Sequence, residues 1–145
     1  MKRILVLLLF LLPILLFCTS CSRQEIRGDG ISARIEEIAY CDGVLSGTIV
    51  LTPDTIPLPP DGVSVEEFLE NYADQFSGSI TYGKMTQPLV IKSRLVRASA
   101  TEFYAELGFS QGLWQKEVSA RMPISVSLEG FSNDFRFTLP PDTAE

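Results

Sequence analysis

Leu89 to Phe109 reads L-V-I-K-S-R-L-V-R-A-S-A-T-E-F-Y-A-E-L-G-F, and this stretch decides the fold class. It holds two runs of period two joined by a short polar link. In the first, Leu89, Ile91, Ser93 and Leu95 face one way and Val90, Lys92, Arg94 and Val96 the other. In the second, Phe103, Ala105, Leu107 and Phe109 alternate with Glu102, Tyr104 and Glu106. Such alternation marks strands with one face buried. Lys92, Arg94 and Arg97 are placed to meet Glu102 and Glu106 across an antiparallel pair. Each exposed pair contributes only about 0–1 kcal/mol, but opposite charges help to set register.

The same pattern extends in both directions. Ile31, Ala33 and Ile35 alternate with Ser32, Arg34 and Glu36, then slip at Glu36-Glu37, where a β-bulge is expected. Cys41-Asp42-Gly43 is a tight-turn signal, and Val44 to Thr52 returns as a second strand. Ile80 to Tyr82 is a short strand or turn. Leu113 to Met122 is expected as a strand with Trp114, Lys116, Val118 and Ala120 on one face. Ile124, Val126 and Leu128, and then Phe135, Phe137 and Leu139, complete the set.

One helix interrupts the strands. Ser64-x-x-Glu67 is a capping box, and Glu66, Glu67 and Glu70 sit near the positive end of the dipole. Val65, Phe68, Leu69, Tyr72 and Phe76 recur at three- and four-residue spacing, so a helix is expected over about 64–76. Ahead of it, Pro53 to Gly62 (P-D-T-I-P-L-P-P-D-G) is a stiff crossover with polyproline-like pieces, or a docking peptide. The fold class is therefore mainly β: an antiparallel sandwich or small barrel of about seven strands with one helix at an open end or over one face. A single β-rich domain is expected over 31–139, with a flexible tail at 140–145.

Composition narrows the chemistry. The chain has no histidine, which removes the commonest general base and zinc ligand. Glu66, Glu67, Glu70 and Asp74 are the one carboxylate cluster, and they fall opposite the apolar stripe, where solvated charge belongs. No calcium loop or phosphate-cradling glycine loop is present. No enzyme activity, cofactor or metal is expected. Tyr104 among Glu102 and Glu106, which suits a protein or glycan contact, and Trp114 are the candidate partner contacts.

The N-terminus speaks to location. Lys2 and Arg3 precede an apolar run from Ile4 to Phe17, followed by Cys18-Thr19-Ser20-Cys21. The run is short for a bilayer span, which needs roughly 20 residues, and suits a secretory signal. This order resembles the signal peptide of a bacterial lipoprotein. Thr19 and Ser20 fit the small-residue positions, while Cys18 stands where a branched aliphatic residue is usual. The resemblance implies removal of residues 1–20, lipid on Cys21, a tether over 21–30 and anchorage in the cell envelope. Ser22 after the cysteine favours the outer membrane over the inner. Without lipid, Cys21 and Cys41 would be available for a disulfide; otherwise Cys41 is expected as a half-buried residue at a strand end.

Cleavage takes Lys2 and Arg3 away and leaves ten basic against 18 acidic residues, a net charge of −8. Such a chain is not built for nucleic acid. The expected role is a non-catalytic binding or accessory module whose partner is another envelope protein. The alternatives are a carrier of a lipid or other hydrophobic ligand in a small barrel and, less favoured, a hydrolase of envelope polymers. An apolar cavity would mark the carrier.

Overall fold

The structure is a computed structural model that describes residues 24–143. The expected signal peptide and the expected lipidation of Cys21 fall outside the described residues. Nine strands form among the described ones: β1 Glu25–Gly28, β2 Ile31–Cys41, β3 Val44–Pro53, β4 Gly78–Tyr82, β5 Met85–Pro88, β6 Ile91–Ala98, β7 Phe103–Gly112, β8 Pro123–Leu128 and β9 Phe135–Thr138. They make a five-stranded sheet in the order β1-β2-β3-β7-β6 and a four-stranded sheet in the order β5-β4-β8-β9. Every pairing is antiparallel. The arrangement is sandwich-like and not a closed barrel, with nine strands where about seven are expected from the sequence.

Local chemistry explains the register. Asp42 and Gly43 join β2 to β3 with φ of 56° and 80°, the left-handed pair that matches strand twist in a two-residue hairpin. The expected bulge is present: the register shifts between Glu36 and Ala39, and Glu37 takes φ of 55°. In β7, Phe103, Ala105, Leu107 and Phe109 are buried as the alternation requires. Ala105, Leu107 and Phe109 pack in one core with Leu45, Ile49, Ile80, Tyr82, Ile124, Val126 and Phe135 from both sheets.

A second bulge corrects the reading of β6. The pairing shifts between Ile91 and Ser93, so one residue is inserted. A one-residue shift sends each later side chain to the other face. Leu95, expected inside, is 43% exposed, and Val96 packs against the core instead. The expected charge ladder to β7 dissolves with it. Arg97 lies opposite Tyr104 and Leu95 opposite Glu106. Arg94 approaches Asp74 of the helical segment at 3.9 Å.

Three further segments differ from expectation. Residues 25–28 are not tether: β1 forms four pairs with β2, and Ile26 is buried in the core. Leu113 to Met122 is not a strand. It leaves the sheet and makes a short 3₁₀ turn at Gln115–Glu117, and Arg121 adopts φ of 57°. The start of the tail is held, because the Thr143 N–H donates to the Tyr40 carbonyl at 3.0 Å and Asp142 bridges Tyr40.

The helix, α1, spans Val65–Tyr72 and continues as a 3₁₀ turn over Ala73–Gln75. Ser64 Oγ accepts from the Glu67 N–H at 3.2 Å, as the capping box predicts. The helix closes the end of the sandwich where β7 begins. Tyr72 meets the Phe103 ring edge-on at 4.8 Å, and Phe68 and Phe76 flank it. Burial there pushes the Tyr72 phenol above its ordinary pKa. Replacing Ser64 by Ala should lower the unfolding free energy by about 1 kcal/mol. Urea titration checks this, and an unmoved midpoint would mean that water serves the Glu67 amide equally well.

Candidate functional site

Tyr104 stands on the outer face of the five-stranded sheet, opposite Arg97. Its neighbourhood is built by the exit of β3. After Pro53 the chain turns away, and the Asp54 N–H donates to the Gly30 carbonyl at 2.9 Å. Asp54 also takes a 2.7 Å ion pair from Arg27, which raises the Arg27 guanidinium pKa. That pair is exposed, so it orients more than it stabilises. The loop thus begins from a fixed point beside the sheet. Between the two lies an open groove of about 480 Å³, with Arg34, Asp54, Ile56, Glu102 and Tyr104 among its walls.

Beyond Ile56 the loop presents Pro57-Leu58-Pro59-Pro60, with Leu58 82% exposed. Proline fixes φ, so this segment has little conformational freedom left to lose on binding. An apolar side chain held out on a stiff segment next to an aromatic-walled groove suits contact with a complementary surface.

Trp114, the other candidate contact, is not part of that groove. Tyr104 lies near the start of β7 and Trp114 just beyond its end, roughly 30 Å apart at the rise of an extended strand. The indole is 59% exposed. Its backbone is fixed by a polar chain that sequence reading missed. The Trp114 N–H donates to Tyr82 Oη at 3.0 Å, and Tyr82 donates to Gln87 Oε1 at 3.0 Å. Gln111 Nε2 donates to the same Gln87 oxygen at 3.2 Å, and Gln111 Oε1 accepts from the Val90 N–H at 2.9 Å. One signal was available: Gln111 continues the inward phase of Phe103, Ala105, Leu107 and Phe109.

Other candidates separate. Glu66, Glu67 and Glu70 face solvent on α1, and Asp74 lies toward Arg94. Cys41 is exposed at its strand end, where a half-buried position is expected from the sequence. On the outer face of the four-stranded sheet, hydroxyls pair with each other, Thr81 with Thr86 and Ser79 with Ser127, each at 3.0 Å. Among the described residues no group of three or more His, Cys, Asp or Glu is placed to hold a metal ion. No helix among them is long and apolar enough to cross a membrane. Compared with protein-family models, curated proteins and solved structures, the chain has no match.

Proposed function

We propose that this protein is a lipoprotein of the bacterial cell envelope, anchored through Cys21, that works by binding another envelope protein without catalysis. The observation that carries the binding role is Leu58, an exposed apolar side chain held on a proline-stiffened loop beside the Tyr104 groove. The interior supports this reading over lipid carriage. The space where a carrier would hold its ligand is occupied by Leu45, Ile49, Ile80, Leu107 and Val126, all at or near zero exposure. The matching surface on the partner is an apolar or aromatic-lined groove with a basic rim. That rim would answer Asp61, within the loop, and Glu66 and Glu67, just after it in the first turn of α1.

Two measurements test the proposal. Intact mass of protein extracted from the membranes of a lipoprotein-processing bacterium should show a chain beginning at Cys21 and carrying acyl groups. The Cys21→Ala variant should lack them. An uncleaved or unlipidated mass would sink the anchor. Site-specific photo-crosslinking in cells should then trap one partner from position 58 and not from position 86, on the hydroxyl-paired face. Leu58→Asp should abolish capture by a crosslinker at 104, and equal capture from positions 58 and 86 would overturn the assignment of this surface.

A further inference from the structure

We infer that the end of the sandwich carrying Trp114 docks on the lipid headgroups of the membrane that holds the anchor, with the α1 end pointing away. The inference rests on the anchor proposed above and specifies how the domain sits on it. Three independent observations converge.

The first is the direction of β1. Glu25 pairs with Arg34 and Gly28 with Ile31, so the chain traced back toward Gln24 runs away from the α1 end and along β2 toward Cys41. Gln24 Oε1 accepts from the Arg136 N–H, which fixes this exit at the side of the domain. Cys21 lies three residues before Gln24. Three residues span at most about 11 Å, so the anchor cannot be far from that flank.

The second is apolar surface at the end toward which β1 points. Trp114 is 59% exposed and Val44 38%. The Leu113 N–H donates to the Gly43 carbonyl at 2.9 Å, which brings their two segments together. An apolar groove of about 320 Å³ opens at the same end, walled by Tyr40, Val118, Ala120, Leu139, Pro140 and Pro141. Tryptophan favours the headgroup level, where its ring is half in hydrocarbon and its N–H remains wet.

The third is charge. The Trp114 end holds Asp42, Glu117 and Asp142 against Lys84, Lys116 and Arg121, and so is balanced. The α1 end concentrates Asp61, Glu66, Glu67 and Glu70, beside Asp54 and Asp74, which Arg27 and Arg94 answer. An anionic membrane surface repels acidic groups within a Debye length, about 8 Å at physiological salt. Of the two ends, the balanced one approaches such a surface without that penalty. The proline loop and Tyr104 are then held outward, where a partner can reach them.

Trp114 is the single tryptophan of the chain, so its emission reports this end alone. The processed, lipidated protein is reconstituted into phosphatidylethanolamine–phosphatidylglycerol vesicles, with its mass checked first. Expected are a blue-shifted emission, a several-fold fall in acrylamide quenching relative to soluble Cys21→Ala, and quenching by lipids labelled with doxyl near the headgroup. A second variant, Trp114→Phe with Leu58→Trp, moves the probe to the opposite end and should remain wet and unquenched by the labelled lipids. A lipidated protein whose Trp114 quenches as in solution overturns the docking and leaves the anchor standing. Protection from acrylamide without doxyl quenching also overturns it, because protein rather than lipid then covers the ring. A mass without acyl chains overturns the anchor, and the docking with it.

Discussion

Alanine at Gly78 is expected to destabilise the fold by about 3 kcal/mol, near the upper end of ordinary overpacking. Gly78 opens β4 opposite Leu128 of β8. A Cβ built there lies 2.2 Å from the Ser127 carbonyl oxygen and 3.1 Å from Leu128 Cδ2. The nearer obstacle is backbone, so no rotamer change relieves it. The strands must move apart, and β5, which pairs with β4, moves with them. The Gly78 carbonyl also accepts from the Leu89 N–H at 2.9 Å, so the displacement reaches the link into β6. Thermal unfolding followed by circular dichroism measures the effect. A melting temperature equal to that of the natural chain would show that β4 and β8 separate at little cost.

Tyr82→Ala should be more damaging, at about 4 kcal/mol, because it removes a large, almost wholly buried ring and leaves a cavity between the sheets. The ring is only part of its role. Its hydroxyl donates to Gln87 of the paired β5 and accepts from the Trp114 N–H, so it ties the segment after β7 to the β4–β5 pair, which no strand pairing connects to it. Tyr82→Phe keeps the ring and removes that link, at an expected cost of about 1–2 kcal/mol. Hydrogen exchange should then accelerate at the Trp114 amide in Tyr82→Phe while the β3 and β7 amides keep their protection. Uniform acceleration across both sheets would show that the hydroxyl contributes only to global stability.

Sequence reading succeeded where one side of a strand is buried and the other wet. β7 and the β2–β3 hairpin fall in this class, because period two and an Asp-Gly turn leave few alternatives. Ser64 and the aromatic stripe located α1 for a similar reason, since cap and periodicity agree. It failed where a single residue carries the decision. β1 has one buried apolar side chain, Ile26, in an otherwise polar run, and its pairing to β2 is invisible without the tertiary context. The flip within β6 turns on one inserted residue near Lys92. The Leu113 to Met122 segment alternates in sequence but is hydrogen-bonded to neighbouring chain at its two ends, Leu113 to Gly43 and Met122 to Leu139, and forms no strand between them. For the site, Tyr104 stood out as an aromatic on a charged face. Its grouping with Asp54 and Ile56 depends on where the proline loop lands, which local sequence does not specify.

The placement of β1 also has a mechanical meaning. A pull transmitted through residues 21–24 enters the molecule along the strand, in line with its axis. A partner gripping the proline loop would draw in nearly the opposite sense. The rungs from Glu25–Arg34 to Gly28–Ile31 then bear load together, in shear, rather than opening one after another as a zipper does. Ile26 would have to be dragged out of the core in the same event. Forced unfolding is governed by a rate, and a shear geometry slows that rate by requiring several contacts to fail at once. On the anchor and partner proposed above, a four-residue strand at the edge of a sheet would serve as the coupling that lets a small domain keep its shape while stretched between the two.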